Sequence, residues 1–264
     1  MQSKVHHYLI RLQFLGFRYS GWQKQPGQKT IEGMLVKTLK FVLPDQGVKV
    51  LGTGRTDAKV SALDYAFELF IKGRPLADLP SFMHSFNANL PADIRVTGLE
   101  EIEGEFNIIQ SIKVKEYIYL FSFGTKNHPY AAPFMANIME PLDIESMKKA
   151  ALLFKGTHNF SAYTARPRDN ATFVREVLEC VVQDNQLISA SFFPEKSYLL
   201  KIKAVGFLRY QVRMIMGGLI SLGKGEIKFE DIEESLRENT NFQVTYVAPG
   251  SGLHLNTLEF DRYQ

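Results

Sequence analysis

Two long runs in which every second residue is apolar restrict this chain more than any other feature. Leu63, Tyr65, Phe67, Leu69 and Ile71 form the first; Tyr117, Tyr119, Phe121 and Phe123, inside an alternating stretch over 113–123, form the second. A period of two buries one face of a β-strand, and antiparallel sheets accommodate one-sided burial best, so both runs belong in such sheets. Tyr8, Ile10, Leu12 and Phe14 repeat the pattern near the start. Between these runs the apolar spacing becomes helical. From Thr30, a candidate N-cap, Met34, Leu35, Thr38, Leu39 and Val42 recur until Pro44 stops them. A strand over 48–51, a helix over 79–87 and a strand over 94–99 complete the first half.

The second half repeats this order. Residues 143–154 read as a helix from an acidic cap, with Ile144, Met147, Ala151 and Phe154 inward. Strands over 174–182 and 198–205 are joined around Asp184-Asn185. Leu208, Val212, Ile215, Met216 and Leu219 make a helix ending at Gly223, a further helix spans 229–236, and a strand over 253–260 closes the chain. The fold class is α+β, in two subdomains with antiparallel sheets, 1–105 and 106–264, divided near Gly104 to Phe106. No Pro/Gly/Ser linker marks that point, so a shared core is expected rather than two freely swinging halves.

Composition excludes several classes. At 45% hydrophobic and 22% charged, the chain is not disordered, collagen-like or a coiled coil. No run of about 18 apolar residues occurs, which rules out a spanning helix. The opening Met1-Gln2-Ser3-Lys4-Val5-His6-His7 has no apolar h-region, so no signal peptide is expected. A lone cysteine, Cys180, forms no internal disulfide and no thiolate metal site, and the expected compartment is the cytoplasm. The net charge of +3 is small, but its distribution is uneven. Residues 1–40 carry seven basic groups against Glu32, and 196–225 carry Lys196, Lys201, Lys203, Arg209, Arg213 and Lys224 with no acid. Brought together, these stretches build a positive surface; taken separately, they are ordinary solvated faces.

The strongest local candidate for chemistry is Gly52-Thr53-Gly54-Arg55-Thr56-Asp57-Ala58, a turn between two strands. Two glycines permit tight backbone, and an arginine and an aspartate two apart are presented from a loop, where functional groups concentrate. A hairpin turn with Asp57 capping its own backbone accounts for the same residues. It is not a phosphate loop, because the Lys-Ser/Thr pair is absent and a strand follows. His158 reads as a helix-end packing residue, since no second ligand stands at metal spacing. Neither His-Glu-x-x-His nor Gly-x-Ser-x-Gly occurs. Arg209 and Arg213, four apart, are expected on one helical face opposite the apolar stripe. Tyr117 and Tyr119 share one side of their strand, where packing is the default. Trp22, in the polar loop Gly21-Trp22-Gln23-Lys24-Gln25-Pro26, either anchors the core or stacks on a base.

Taken together these residues resemble the tRNA pseudouridine synthase A (TruA) family, in order and over nearly the whole chain. Gly21-Trp22-Gln23-Lys24-Gln25-Pro26 is similar to the family's Gly-Trp-Gln-x-Gln-Pro opening. Gly54-Arg55-Thr56-Asp57-Ala58 resembles its central signature, and Asn89-Leu90-Pro91-Ala92-Asp93-Ile94 its Asn-x-Leu-Pro-x-Asp-Ile run. Lys115-Glu116-Tyr117-Ile118-Tyr119 resembles the strand whose first tyrosine lies in the active site. Phe207-Leu208 with Val212-Arg213, and Ala248-Pro249-x-x-Gly252-Leu253, are similar to its last two motifs. The resemblance implies two ferredoxin-like (RRM-like) halves whose sheets join around a central active-site cleft, usually in a homodimer. It implies conversion of uridine to pseudouridine at positions 38, 39 and 40 of the tRNA anticodon arm, with no metal or cofactor and no membrane partner.

Residue by residue, the resemblance makes Asp57 the catalytic carboxylate, Tyr117 an active-site tyrosine that stacks on uracil, and Arg213 the arginine paired with Asp57. Arg55 resembles the arginine that takes the space of a flipped nucleotide, Arg175 is a second candidate for RNA contact, and Leu253 belongs to the substrate-binding set. The chemistry gives these types a reason: isomerisation needs an acid/base or nucleophilic carboxylate at the ribose, kept ionised in a closed cleft by a neighbouring cation. The chain departs from the family pattern at Lys59 and Ser61, where glycine and histidine are usual, and at Arg209 and Tyr210, where two histidines are usual. A paralogue acting on another RNA, or a catalytically silent RNA-binding module, is the alternative these departures carry.

Overall fold

The computed structural model describes residues 4–102, 106–165, 172–238 and 240–261. Their contacts group into two compact units, Met1–Lys113 with Leu255–Gln264, and Val114–His254. The expected division near Gly104 to Phe106 touches residues 103–105, which lie outside the described residues. The architecture is mixed α/β, with mostly antiparallel strands and five α-helices among the described residues.

The first unit runs β1 (Val5–Phe14), α1 (Ile31–Val42), β2 (Gly47–Gly52), β3 (Ser61–Lys72), α2 (Leu79–Asn89) and β4 (Ile94–Glu101). β1 lies between β3 and β4, and β2 pairs β3, all antiparallel, which gives the order β4-β1-β3-β2. β10 (Leu253–Phe260) also borders β3. Alternation places Tyr65, Phe67, Leu69 and Ile71 in the core, as its period requires. Central position in the sheet buries the intervening Ala66 and Glu68 as well. Thr30 caps α1 as expected, its hydroxyl accepting from the Gly33 amide at 3.2 Å. The helix closes at Leu43, one residue before Pro44, with the Leu43 amide on the Leu39 carbonyl. Leu9, Ala66, Ile102, Ile108, Ile112 and Leu258 form one apolar cluster, against which Leu51, Phe106 and Phe260 pack.

The second unit holds most of β5 (Ile112–Phe123), then β6 (Ala136–Ile138), α3 (Ile144–Ala151), β7 (Gly156–Asn159), β8 (Val174–Asp184), β9 (Tyr198–Ala204), α4 (Gln211–Gly223) and α5 (Phe229–Ser235). Antiparallel pairing sets the order β5-β9-β8-β7, and β6 runs parallel to β5. Asp143 caps α3 by accepting from the Ser146 amide at 3.0 Å. The helical reading over 143–154 breaks after Ala151 into a single 3₁₀ turn, Leu152–Phe154, because Gly156 at φ 114 swings the chain into β7. His158 therefore stands in a short strand opposite Arg175, not at a helix end. Cys180 is buried on β8, and burial pushes its thiol far up, which leaves it a packing residue.

Two further expectations are corrected at α4. The helix begins at Gln211 rather than Leu208, because Tyr210 takes a left-handed backbone (φ 63, ψ 4) that no helix interior accommodates. Arg209 thus precedes the helix and shares no helical face with Arg213. Nor is α4 a one-sided stripe: apart from Arg213 and Ser221 its residues are buried all round. Gly217 allows the closest approach, since a Cβ there would meet the Tyr246 carbonyl at 1.9 Å.

Candidate active site

Residues 53–60 form a braced loop rather than a tight hairpin turn, because β2 stops pairing at Gly52 opposite Phe67 while β3 continues back to Ser61. Its braces are mainly backbone. The Trp22 amide donates to the Thr56 carbonyl at 3.2 Å, the Thr53 amide to Ala66, and the Val60 amide to the Asp57 carbonyl at 3.3 Å. The Tyr65 hydroxyl donates to the Gly54 carbonyl at 2.5 Å. Asp57 is half-buried on this loop, and Arg55 is exposed with its Nε on the Gln23 Oε1 at 3.0 Å. Trp22 settles as a core anchor: it is 3% exposed and packs on Tyr65 at 4.2 Å between ring centroids. Gly21 and Gly52 are dictated by close approach, Gly21 to the loop backbone and Gly52 to that ring pair. Gly21 has φ 96, and a Cβ on it would meet the Thr56 carbonyl at 2.3 Å; a Cβ on Gly52 would strike Trp22 and the Tyr65 hydroxyl.

The departures from the family pattern are legible in this loop. Lys59 adopts φ 67, the left-handed region where glycine is the easiest residue, and its amide donates to the Tyr19 carbonyl at 3.0 Å. Its ammonium lies 5.5 Å from the Phe17 ring centroid. Ser61 is buried, and its hydroxyl accepts from the Gly16 amide at 2.9 Å. The Asn89–Ile94 motif has a structural task nearby. Asp93 accepts from the Tyr19 hydroxyl at 2.7 Å and from Arg18 at 2.7 Å, and its carbonyl takes the Leu15 amide. Partial burial works against the carboxylate, but the bonds from Tyr19 and Arg18 prevail and hold Asp93 below the usual carboxylate range.

In the second unit, Tyr117 is half-buried on β5, opposite Ile202 of β9, with its ring edge-on to Phe207 at 5.4 Å. Tyr119, two residues on, is fully buried and donates to the Pro249 carbonyl at 2.8 Å. Burial, with Tyr246 adding to it and Arg213 opposing it, pushes the Tyr119 hydroxyl well above its ordinary value. Arg213 is half-buried on α4. Its Nε donates to the Ala248 carbonyl at 2.7 Å, and the Ala248 amide returns to the Arg213 carbonyl at 3.1 Å. Gly252 fits against the Tyr119 ring and the Leu120 carbonyl, at distances of 2.8 and 2.7 Å from where a Cβ would sit, and Leu253 follows, buried, as the first residue of β10. The Ala248–Leu253 motif thus ties Arg213 to the Tyr117–Tyr119 stretch. Arg175, at the opening of β8, turns its guanidinium onto the carbonyls of Val174 and Thr172 at 2.6 and 3.0 Å.

Lys115 shares the β5 face of Tyr117, a placement that the two-residue period of a strand makes readable in retrospect. Burial lowers its ammonium to about 8. The folded chain then holds this proton less tightly than the unfolded one, so the penalty is full below that value, and stability rises with pH from there toward the ordinary lysine value of about 10.4. Lys115→Met is expected to abolish the rise in stability between about pH 8 and pH 10 that this shift produces, so that its difference from the wild type changes across that range. Urea melts across that range check it; a pH-independent difference counts against it.

The basic stretches are partly neutralised. Arg11 pairs with Asp64 and Arg18 with Asp93, while Lys201 and Lys203 bind Glu179, Lys203 also Glu116, and Lys224 Glu140. Lys24, Lys29, Arg55 and Lys59 are exposed in the first unit, Lys29 lying 4.9 Å from the Tyr19 ring centroid. Among the described residues no group of three or more His, Cys, Asp or Glu is arranged to hold a metal, and no helix is long and apolar enough to cross a membrane.

Residues 150–261 match the tRNA pseudouridine synthase family. Over almost its whole length the chain is similar to proteins named tRNA pseudouridine synthase A. It is 32% identical over 251 residues to that of Aquifex aeolicus, spanning 94% of this chain and 97% of that one. For the Dictyoglomus thermophilum protein the identity is 30% over 251 residues, spanning 95% and 98%. The tRNA pseudouridine synthase A 2 of Bacillus cereus is 29% identical over 257 residues, 97% of this chain and 100% of that one. This chain belongs to the tRNA pseudouridine synthase A family and is an isomerase.

Proposed function

We propose that this enzyme converts uridine to pseudouridine in the anticodon stem-loop of tRNA, at positions 38–40, as a cytoplasmic homodimer built from ferredoxin-like halves. Asp57 carries the reading: a carboxylate on a braced loop in a chain of this family. The β4-β1-β3-β2 order supports the ferredoxin-like description of the first unit. In the reaction the C1′–N1 bond breaks, the uracil turns over, a C1′–C5 bond forms, the C5 proton leaves and N1 gains a proton. Asp57 acts at the ribose, either attacking C1′ or taking the C2′ proton. Tyr117 stacks on the uracil and accepts the C5 proton. Arg213 is the cation that such carboxylate chemistry requires. Arg55 fills the space of the extruded nucleotide and so offsets part of the unstacking cost, while Arg175 and Leu253 contact RNA and base.

Tritium release from transcripts carrying 5-tritiated uridine, with purified protein and no added cofactor, tests this reading. Release of more than one equivalent per protein chain, lost when the uridines at 38–40 are replaced by cytidine, is the expected result. Intact binding with no release from any tRNA favours an RNA-binding module instead. Light scattering of the purified protein checks the homodimer.

The exposed cations beside the signature loop are assigned to phosphates. Lys59→Ala is expected to weaken tRNA binding uniformly across sequences and to reduce the slope of log K against log salt by about 0.7–0.9. Filter binding from low to moderate salt reads this directly, and an unchanged slope removes Lys59 from the interface.

A further inference from the structure

Tyr210 occupies a backbone position that suits it poorly. It and Lys59 are the non-glycine residues with positive φ among the described residues, and a bulky side chain at φ 63 is an outlier that calls for a compensating role. Asparagine or glycine would accept this conformation more readily, and the Tyr210 side chain makes no capping bond that would explain its presence. What tyrosine supplies instead is a ring. The Arg213 guanidinium carbon lies 5.0 Å from its centroid and that of Arg209 lies 5.2 Å from it, both within cation–π range. The Arg213 Nε is separately tied to the Ala248 carbonyl at 2.7 Å. A ring contact and a bond at Nε together fix the direction of the guanidinium, which an arginine on a long flexible stem does not hold by itself.

We propose that Tyr210 is a positioning residue for Arg213: its ring, held in place by a strained backbone, fixes the guanidinium in the orientation that serves the reaction. This inference rests on the role proposed above for Arg213. It also accounts for a tyrosine at a left-handed position, which α4 packing alone does not require.

The test uses Tyr210→Asn, which suits the backbone but lacks the ring, and Tyr210→Phe, which keeps the ring without the hydroxyl. Both are made in the wild-type chain and in Arg213→Lys, and each is read by single-turnover tritium release, tRNA affinity and thermal melting. Tyr210→Asn is expected to slow the chemical step roughly tenfold, the scale of a partly desolvated cation–π contact, with tRNA affinity within about threefold and no loss of melting temperature. Tyr210→Phe is expected to restore most of that rate. In Arg213→Lys the Asn substitution should cost less than about threefold, because the group it positions is already gone. Tyr210→Gly, equally suited to the backbone, repeats the comparison if the Asn variant is poorly soluble. An undiminished rate in Tyr210→Asn, an equal loss in both backgrounds, or no recovery in Tyr210→Phe overturns the proposal. A wild-type rate in Arg213→Lys alone is a distinct failure: it removes the role of Arg213 itself, and the proposal falls with it.

Discussion

Asp57→Asn is expected to lower the single-turnover rate of tritium release by at least about a thousandfold, near the upper range for removing a positioned acid–base group, while tRNA affinity stays within about threefold. The amide is nearly isosteric with the carboxylate but neither attacks carbon nor accepts a proton at neutral pH. The braces on the loop run through the main chain and through Trp22 and Tyr65, so its shape is expected to survive the change. Loss of rate with retained affinity separates chemistry from binding, since an interaction made only in the transition state lowers the rate without weakening the ground-state complex. Retention of a tenth or more of the wild-type rate would show that another group performs the step at the ribose.

The second large effect arises without touching an ionisable group. Gly21→Ala combines a left-handed φ of 96 with a Cβ that would stand 2.3 Å from the Thr56 carbonyl and 3.1 Å from the Asp57 carbonyl carbon. Both neighbours are backbone, so the conflict can be relieved only by moving the signature loop. A loss of about 3–5 kcal/mol in urea melts is expected, with roughly a hundredfold slower release where the variant is still folded. Gly27→Ala provides the control. Its φ of 69 is also left-handed, but a Cβ there meets nothing within 4 Å, so only the conformational cost of about 1 kcal/mol should remain. Equal losses in the two variants would mean that backbone strain, not the approach to Thr56, sets the effect.

These predictions concern residues that the sequence singled out, but the reasons for them differ in how readily a sequence yields them. Periodicity and caps are local. The alternation of Tyr65 to Ile71, the Thr30 cap and the Asp143 cap each involve residues within a few positions, and they reappear as β3, α1 and α3. β6 and β7 escape notice because three or four residues are too few to display a period. The start of α4 is missed because the apolar spacing continues smoothly back to Leu208, while the left-handed turn at Tyr210 carries no glycine to announce it. Charge runs mislead for a related reason: Lys201 and Lys203 look unopposed along the chain, yet strand pairing brings Glu116 and Glu179 across to them. The identities of Asp57, Tyr117 and Arg213, the proposed catalytic residues, are visible as motif residues. The contacts around the motif residues are not: Gln23 on Arg55 and the Ala248 carbonyl on the Arg213 Nε join distant segments, and the Tyr210 ring comes beside Arg213 on a left-handed turn.

The clasp at Asp93 affects how acid inactivation of this enzyme is to be interpreted. Its carboxylate secures Tyr19, and the Tyr19 carbonyl in turn secures the Lys59 amide, two residues beyond Asp57. Because the folded protein holds this carboxyl below its ordinary range, the clasp is fully fastened above the unfolded value and loosens only as pH falls through the lowered one. On the role proposed for Asp57, release of the strap that keeps its loop in shape contributes to any descending limb on the acid side of a rate profile, beside whatever happens at the reacting atoms. Fitting that limb with a single ionisation would ascribe to catalysis a constant that belongs partly to mechanics.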